Sequence, residues 1–204
     1  MYNFFGRLGC NHRNSCKLLE LGGGTASTTK CILDSIKKCD VERYYFTDIS
    51  DFFVNHAREL FSNIRFVDYL KINIDDNFAK NKIKENSIDI LVAIGVLNNA
   101  QNIENTLKNI RKVLKNDGQA IIVEAIDESV QMLISQAFMM VDTNDERAEN
   151  NETFLKLGQW YELFRKVGFT VKKSLPTIDS ELCVYNQKVF ILNCKSEVEC
   201  DENK

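Results

Sequence analysis

The sequence predicts an α/β fold: a Rossmann-like, doubly wound, mostly parallel seven-stranded sheet with helices on both faces. Three observations carry this expectation. An apolar run, Leu18, Leu19 and Leu21, leads into three glycines and then into small hydroxyl residues able to open a helix. Segments of strand character then alternate with segments whose apolar residues recur at helical spacing. Finally, residues 87–97, SIDILVAIGVL, are almost continuously apolar, as a central parallel strand buried on both faces must be.

The elements follow in order. Residues 17–21 form the first strand. Gly22 and Gly24 permit backbone conformations closed to other residues and the close approach of a ligand, while free N–H groups at the next helix start suit a nucleotide-like anion. Residues 27–38 set Ile32, Leu33 and Ile36 on one helical face. The β-prone stretch 43–48, RYYFTD, is a second strand with Asp48 at its C-terminal edge, where doubly wound folds bind ribose. A helix at 52–61 and a strand with its loop at 64–74 follow. The apolar run 87–97 is the fourth strand and ends on Asn98 and Asn99; residues 103–114 are a core-facing helix closed by Asn116, Asp117 and Gly118. The fifth strand, 119–125, carries Glu124 at its edge.

Beyond it, 129–140 reads as a helix containing Met132, Met139 and Met140, and 141–152 as a polar, mobile loop over the site, since it has no periodicity. A helix at 157–167 turns Trp160, Leu163, Phe164 and Val167 inward, and two closing strands, 169–173 and 189–194, are joined by a connection holding Pro176. Trp160 and the phenylalanines read as core. Right-handed crossovers bring Glu20, Asp48, Asn73, Asn98 and Glu124 to or near one edge of the sheet.

Composition narrows the function. With 204 residues, 44% of them hydrophobic, the chain supports one globular domain, expected at 17–194, with a short segment at 1–16 over the cofactor cleft and an acidic, flexible tail at 195–204. A net charge of −3 and the lack of a basic block disfavour nucleic acid and anionic membrane as partners, and a soluble, cytoplasmic protein is expected. The seven cysteines include no C-x-x-C pair, so reduced thiols are expected, and neither they nor His12 and His56 suggest a metal site.

Read as a dinucleotide fingerprint, the glycine loop supplies Gly22 and Gly24 but places Ser27 at the third position. Read as an acidic residue two before G-x-G with a small residue two after, it supplies Glu20, Gly22, Gly24 and Ala26. Together with YYFTDISDFF, the run from SIDILVAIGVLNNA to IIVEA, and the late Trp160, Leu163, Phe164, Gly168, Phe169 pattern, this loop resembles the methyltransferase domains of polyketide and nonribosomal peptide synthetases, type 12 methyltransferases of the class I fold. The resemblance spans about residues 17–194. It implies methyl transfer from S-adenosylmethionine, leaving S-adenosylhomocysteine, to a carbon of a carrier-tethered intermediate, or more broadly to a small-molecule or carrier-tethered acceptor. It further implies that Glu20, Gly22, Gly23, Gly24 and Thr25 cradle the amino acid portion, that Asp48 and Ile49 meet the adenosine, and that Asn73 and Gly95 lie beside it.

Two departures matter. The family usually has Asp at the Asn73 position, and its carbon-methylating members have His at the Asn98 position, paired with the Glu that Glu124 matches. An amide has no useful basicity, so Asn98 cannot remove a proton; Asn98, Asn99 and Glu124 are expected to orient an acceptor instead. The alternative is a catalytically degenerate domain serving as a scaffold. A third reading, a nicotinamide-dependent oxidoreductase, meets the Ser27 mismatch. The family also commonly carries an N-terminal lid region, so a shortened relative or a fragment is expected.

Overall fold

Alternation along the strands divides the apolar residues between two faces, and the helices cover both. In a computed structural model describing residues 15–36, 41–136 and 141–195, β1 (Cys16–Leu21) sends Cys16 and Leu18 into one core and Leu19 and Leu21 into the other. β4 (Ile88–Ile94) does the same, with Ile90 and Val92 opposed to Leu91 and Ala93. On the first face lie α1 (Ser27–Ile36), through Ile32, Leu33 and Ile36, and α2 (Asp51–Leu60), through Val54 and Ala57. On the second lie α3 (Ile103–Val113), through Ile103, Leu107, Ile110 and Val113, and α6 (Leu157–Lys166), through Trp160 and Phe164.

With β2 (Val41–Asp48), β3 (Val67–Lys71), β5 (Leu114–Ala125), β6 (Phe169–Leu175) and β7 (Gln187–Cys194), the seven strands run in the order β3-β2-β1-β4-β5-β7-β6. The first five pair parallel, and β7 runs antiparallel between β5 and β6. This is the expected doubly wound sheet. Because the chain leaves β1 towards β2 on one side and returns through β4 on the other, the loops after β1 and β4 part at the C-terminal edge and open a cleft there.

Two expectations are amended. β5 starts at Leu114 rather than 119, because Ile88 pairs with Leu114 and Ile90 with Gln119; Asn116, Asp117 and Gly118 fill the bulge between them instead of simply closing α3. A Cβ on Gly118 would stand 3.0 Å from the carbonyl oxygens of Ile88 and Lys115, which explains the glycine. Residues 141–152, expected as a loop, contain a short helix, α5 (Glu146–Asn150), with Arg147 fully buried. The Met-containing helix is described as α4 (Val130–Gln136), where Met132 packs with Ala125 and Phe154. The expected segment over the cleft at 1–14, His12, the end of the first helix, Met139, Met140 and the tail at 196–204 lie outside the described residues. No helix among the described residues is long and apolar enough to cross a membrane.

Candidate active site

The β1–α1 loop is shaped by what surrounds it. Gly22 and Gly24 have φ of +63° and +51°, the left-handed region that favours glycine. A Cβ on Gly22 would come within 2.5 Å of Val96, and one on Gly23 within 2.1 Å of the Phe46 ring, so the loop lies flat on the neighbouring strands' ends. A Cβ on Gly24 would meet nothing within 4 Å, and the same holds for Gly95, at φ +64° after β4. Two adjacent strand ends thus offer bare backbone facing open space. Thr25 is exposed, its hydroxyl 3.1 Å from that of Ser27.

Beneath the loop, Glu20 is buried and accepts hydrogen bonds of 2.7 Å from both the Thr29 and Tyr44 hydroxyls. Burial raises its pKa, and the two hydroxyls oppose that rise. The same burial, with the Glu20 charge beside it, holds the Tyr44 phenol well above its usual value. The Glu20 carboxylate therefore fixes the start of α1 to β2 from below. Asp48 sits at the end of β2, accepting from the Gly24 N–H at 2.9 Å and the Ser50 N–H at 2.8 Å. Next to it Ile49 is 59% exposed, an apolar side chain left at the cleft's edge. Asn73, just beyond β3, uses its side-chain oxygen to accept from the Asp75 N–H, making a local turn. That loop is joined to Asp48 by the Ile72 N–H, which donates to the Asp48 carbonyl.

The other half of the cleft is built around Glu124. Its Oε1 accepts from the N–H groups of Val96 at 2.8 Å and Leu97 at 2.6 Å, and its Oε2 accepts from Asn98 Nδ2 at 2.9 Å. Burial pushes this carboxyl up to about 7, against those donors, which favour the charged form. Asn98 is buried, and its Oδ1 has no hydrogen-bond partner. Asn99 is half-buried, and its N–H closes the turn onto the Val96 carbonyl.

Arg147 is the residue that sequence reasoning missed. It is wholly buried and donates to the carbonyl oxygens of Asn98 at 2.6 Å and Ala100 at 2.7 Å, while Asp145 binds its guanidinium through both carboxylate oxygens. Asp145 also accepts from the Ile103 N–H at the start of α3. Burial alone would raise the Asp145 carboxyl, but the Arg147 and Ile103 donors hold it below its usual range. The turn carrying Asn98 is thereby clamped from below by Glu124 and from the far side by Arg147. The only signal in the sequence was one arginine in a polar run, which carries no periodicity. Trp160, expected in the core, is fully buried there and donates its indole N–H to the Ala125 carbonyl.

The chain that carries this glycine loop, strand-end aspartate and buried glutamate has matches among known proteins. A family described as a methyltransferase domain matches residues 19–120. The chain belongs to that family. Pyochelin synthetase PchF of Pseudomonas aeruginosa is 30% identical over 186 residues, 89% of this chain and 10% of that protein. The lovastatin diketide synthase of Aspergillus terreus is 31% identical over 166 residues, 80% of this chain and 7% of that protein. Among solved structures, the CurJ carbon methyltransferase superimposes with a TM-score of 0.81 at 26% identity, covering 94% of this chain and 51% of that one. The trans-methyltransferase CalH, solved with S-adenosylhomocysteine, shares the fold at a TM-score of 0.74 and 20% identity, over 88% of this chain and 51% of that one. This is a methyltransferase domain of the polyketide and nonribosomal peptide synthetase type, spanning a tenth or less of these synthases and about half of the two solved chains.

Proposed function

We propose that this methyltransferase domain uses S-adenosylmethionine to methylate a small-molecule or carrier-tethered polyketide or peptide intermediate. The observation that carries the reading is the pairing of bare, positive-φ backbone at Gly24 and Gly95 with the Asp48 carboxylate, bonded at 2.9 Å to the Gly24 N–H. Such a surface fits a nucleoside: a carboxylate accepts from paired ribose hydroxyls, glycines let the ligand lie against the chain, and Ile49 gives an apolar edge for a base. The cofactor supplies an electrophilic methyl group on a sulfonium.

Each residue then has a task. Glu20, held by Thr29 and Tyr44, keeps Gly22, Gly23 and Thr25 at the cleft floor. Asp48 and Ile49 hold the adenosine, with the Asn73 loop beside them. Glu124 positions the Val96 and Leu97 amides, and Asn98 and Asn99 orient the acceptor, so that alignment rather than strong base catalysis drives transfer. The degenerate-scaffold reading rests on the missing base at Asn98; the intact Gly24–Asp48 surface favours an enzyme.

Calorimetric titration with S-adenosylmethionine, S-adenosylhomocysteine and NADH tests this reading. Micromolar binding of the first two and none of NADH is expected. Asp48→Ala, still folded by circular dichroism, should weaken both adenosyl ligands at least about tenfold, the order of a charge-assisted hydrogen bond. A folded parent protein that binds neither would favour the scaffold.

A further inference from the structure

Resting on that methyltransferase reading, we propose that Asp75 is a positioning residue which transmits occupancy of the adenosine half of the cleft to the turn bearing Asn98, so that the acceptor side is set once the methyl donor is bound. A run of hydrogen bonds and short covalent steps connects the two. The Asp48 carboxylate holds the Gly24 N–H at 2.9 Å, and the Asp48 carbonyl receives the Ile72 N–H at 3.0 Å. Asn73 Oδ1 then accepts from the Asp75 N–H at 3.1 Å, and Asp75 Oδ1 accepts from the Gln101 N–H at 2.9 Å. Gln101 is the junction. Its carbonyl receives the Asn144 N–H at 2.8 Å, beside Asp145, which grips the Arg147 guanidinium that holds the Asn98 and Ala100 carbonyls.

Seating α3 does not require Asp75. The Thr106 hydroxyl donates to the Ile74 carbonyl at 3.2 Å and Asn109 Nδ2 to the Asp76 carbonyl at 3.0 Å, so the helix is already fastened to this loop. Its first N–H groups are capped by Asn102 and Asp145. Asp75 instead reaches past the helix to the peptide before its cap. Burial raises its carboxyl above the ordinary value, against the N–H groups of Gln101 and Asn102 and the charge of Arg147, which favour the ionised form. Asp75 is thus acted on by the same arginine that clamps the turn from the far side. A ligand lying against Asp48 and the Asn73 loop removes conformations open to that loop and hence to Asp75. Order already in place lowers the cost of ordering what is bonded to it. The coupling is reciprocal, so a set acceptor turn strengthens adenosyl binding by the same factor.

The test reads amide hydrogen exchange in the whole chain with and without saturating S-adenosylhomocysteine. Asn99, Ala100 and Ile103 are the reporters, since their N–H groups bond to the Val96 carbonyl, the Leu97 carbonyl and Asp145 rather than to Asp75. In the parent the ligand should slow their exchange at least about tenfold, within the usual range of coupling between sites. In Asp75→Ala the ligand should still slow exchange at Gly24 and Ala26, while its effect on the three reporters falls below about twofold. A purely structural loss would speed exchange equally with and without ligand and leave the ratio as in the parent. Asp75→Asn, whose Oδ1 can take the Gln101 N–H, should restore the ratio. Asp75→Ser, one bond shorter, should behave as alanine does and supplies the reading if the alanine variant does not fold. A parent ratio near one, a ratio that survives Asp75→Ala or Asp75→Ser, or no rescue by Asp75→Asn would each overturn the proposal. Failure of the methyltransferase reading is distinct: the ligand would then protect neither Gly24 nor Ala26 in the parent.

Discussion

The two halves of the cleft are built in opposite ways. On the β1–β2 side, the buried carboxylates are satisfied: Glu20 by two hydroxyls and Asp48 by two backbone N–H groups. On the β4–β5 side, burial drives Glu124 up to about 7 despite three donors, as it also raises Glu20, and Asn98 Oδ1 is left with no partner. The first half is a finished surface whose shape comes from glycines. The second stores unfavourable burial under a turn held by Arg147, and a site that holds polar groups at such expense is one where ligand chemistry is expected. The halves meet where a Cβ on Gly22 would strike Val96, the residue whose N–H Glu124 binds.

If the second half depends on its clamp, Arg147→Met should produce the largest effect. It strands the Asn98 and Ala100 carbonyls and leaves the Asp145 carboxylate without its cation. Removing one partner of a buried pair costs about 3–5 kcal/mol, measurable by urea unfolding. A loss below about 1 kcal/mol, the scale of an exposed ion pair, would mean the turn stands without the clamp.

Glu124→Gln probes the same half from beneath, and here the change should stabilise. The native pKa of about 7 lies above the ordinary 4.5, so the protonated form is the one folding favours. Stability from this group is greatest below the unfolded value, falls as pH rises from 4.5 to about 7, and stays low above it. Glutamine keeps an oxygen for the Val96 and Leu97 amides and can donate to a turned Asn98 amide, satisfying Oδ1. Above neutral pH the variant should gain up to about 3 kcal/mol, and the slope below it should flatten. An unaltered pH profile would show that Glu124 is not the group responsible.

How much of this could be read from the sequence differs between the halves for the same reason. Gly22, Gly24 and Asp48 announce themselves because their roles are local: a turn's φ, a strand's end. Ile90 and Leu91, on opposite faces, are equally legible through periodicity. Asn98 was legible as a strand-end residue and as a departure from a family pattern, but its unpartnered oxygen was not. Arg147 was invisible, since its carbonyl partners lie 49 and 47 residues earlier and no spacing rule connects them. The early start of β5 was missed similarly, because the Ile88–Leu114 pairing is a fact about the neighbouring strand.

Within the first half, neighbouring glycines should separate by effect. Gly23→Ala drives a methyl to 2.1 Å from the Phe46 ring and should cost about 1–3 kcal/mol, as overpacking does. Gly24→Ala meets open space and strains only the backbone at φ +51°, for about 1–2 kcal/mol. Its methyl would instead occupy the surface assigned to the cofactor. Calorimetry should find adenosyl binding lost in Gly24→Ala at a stability no lower than that of Gly23→Ala; full affinity in Gly24→Ala would remove that backbone from the binding surface.

The smallest effect concerns Ala26, the small residue two after the G-x-G, which adopts φ +63°. Three terms decide Ala26→Gly, one for glycine and two against it. Relief of the left-handed backbone favours glycine by about 1–2 kcal/mol. Against it stand the buried methyl, at 1% exposure worth about 0.8 kcal/mol, and the greater unfolded-state freedom of glycine, about 0.4–1 kcal/mol. The sums nearly cancel, so thermal unfolding should place the variant within about 0.5 kcal/mol of the parent, the spread typical of neutral substitutions. A gain of more than about 1 kcal/mol would mean that the alanine strains the loop; an equal loss would mean that its methyl is a working part of the core against which α1 packs.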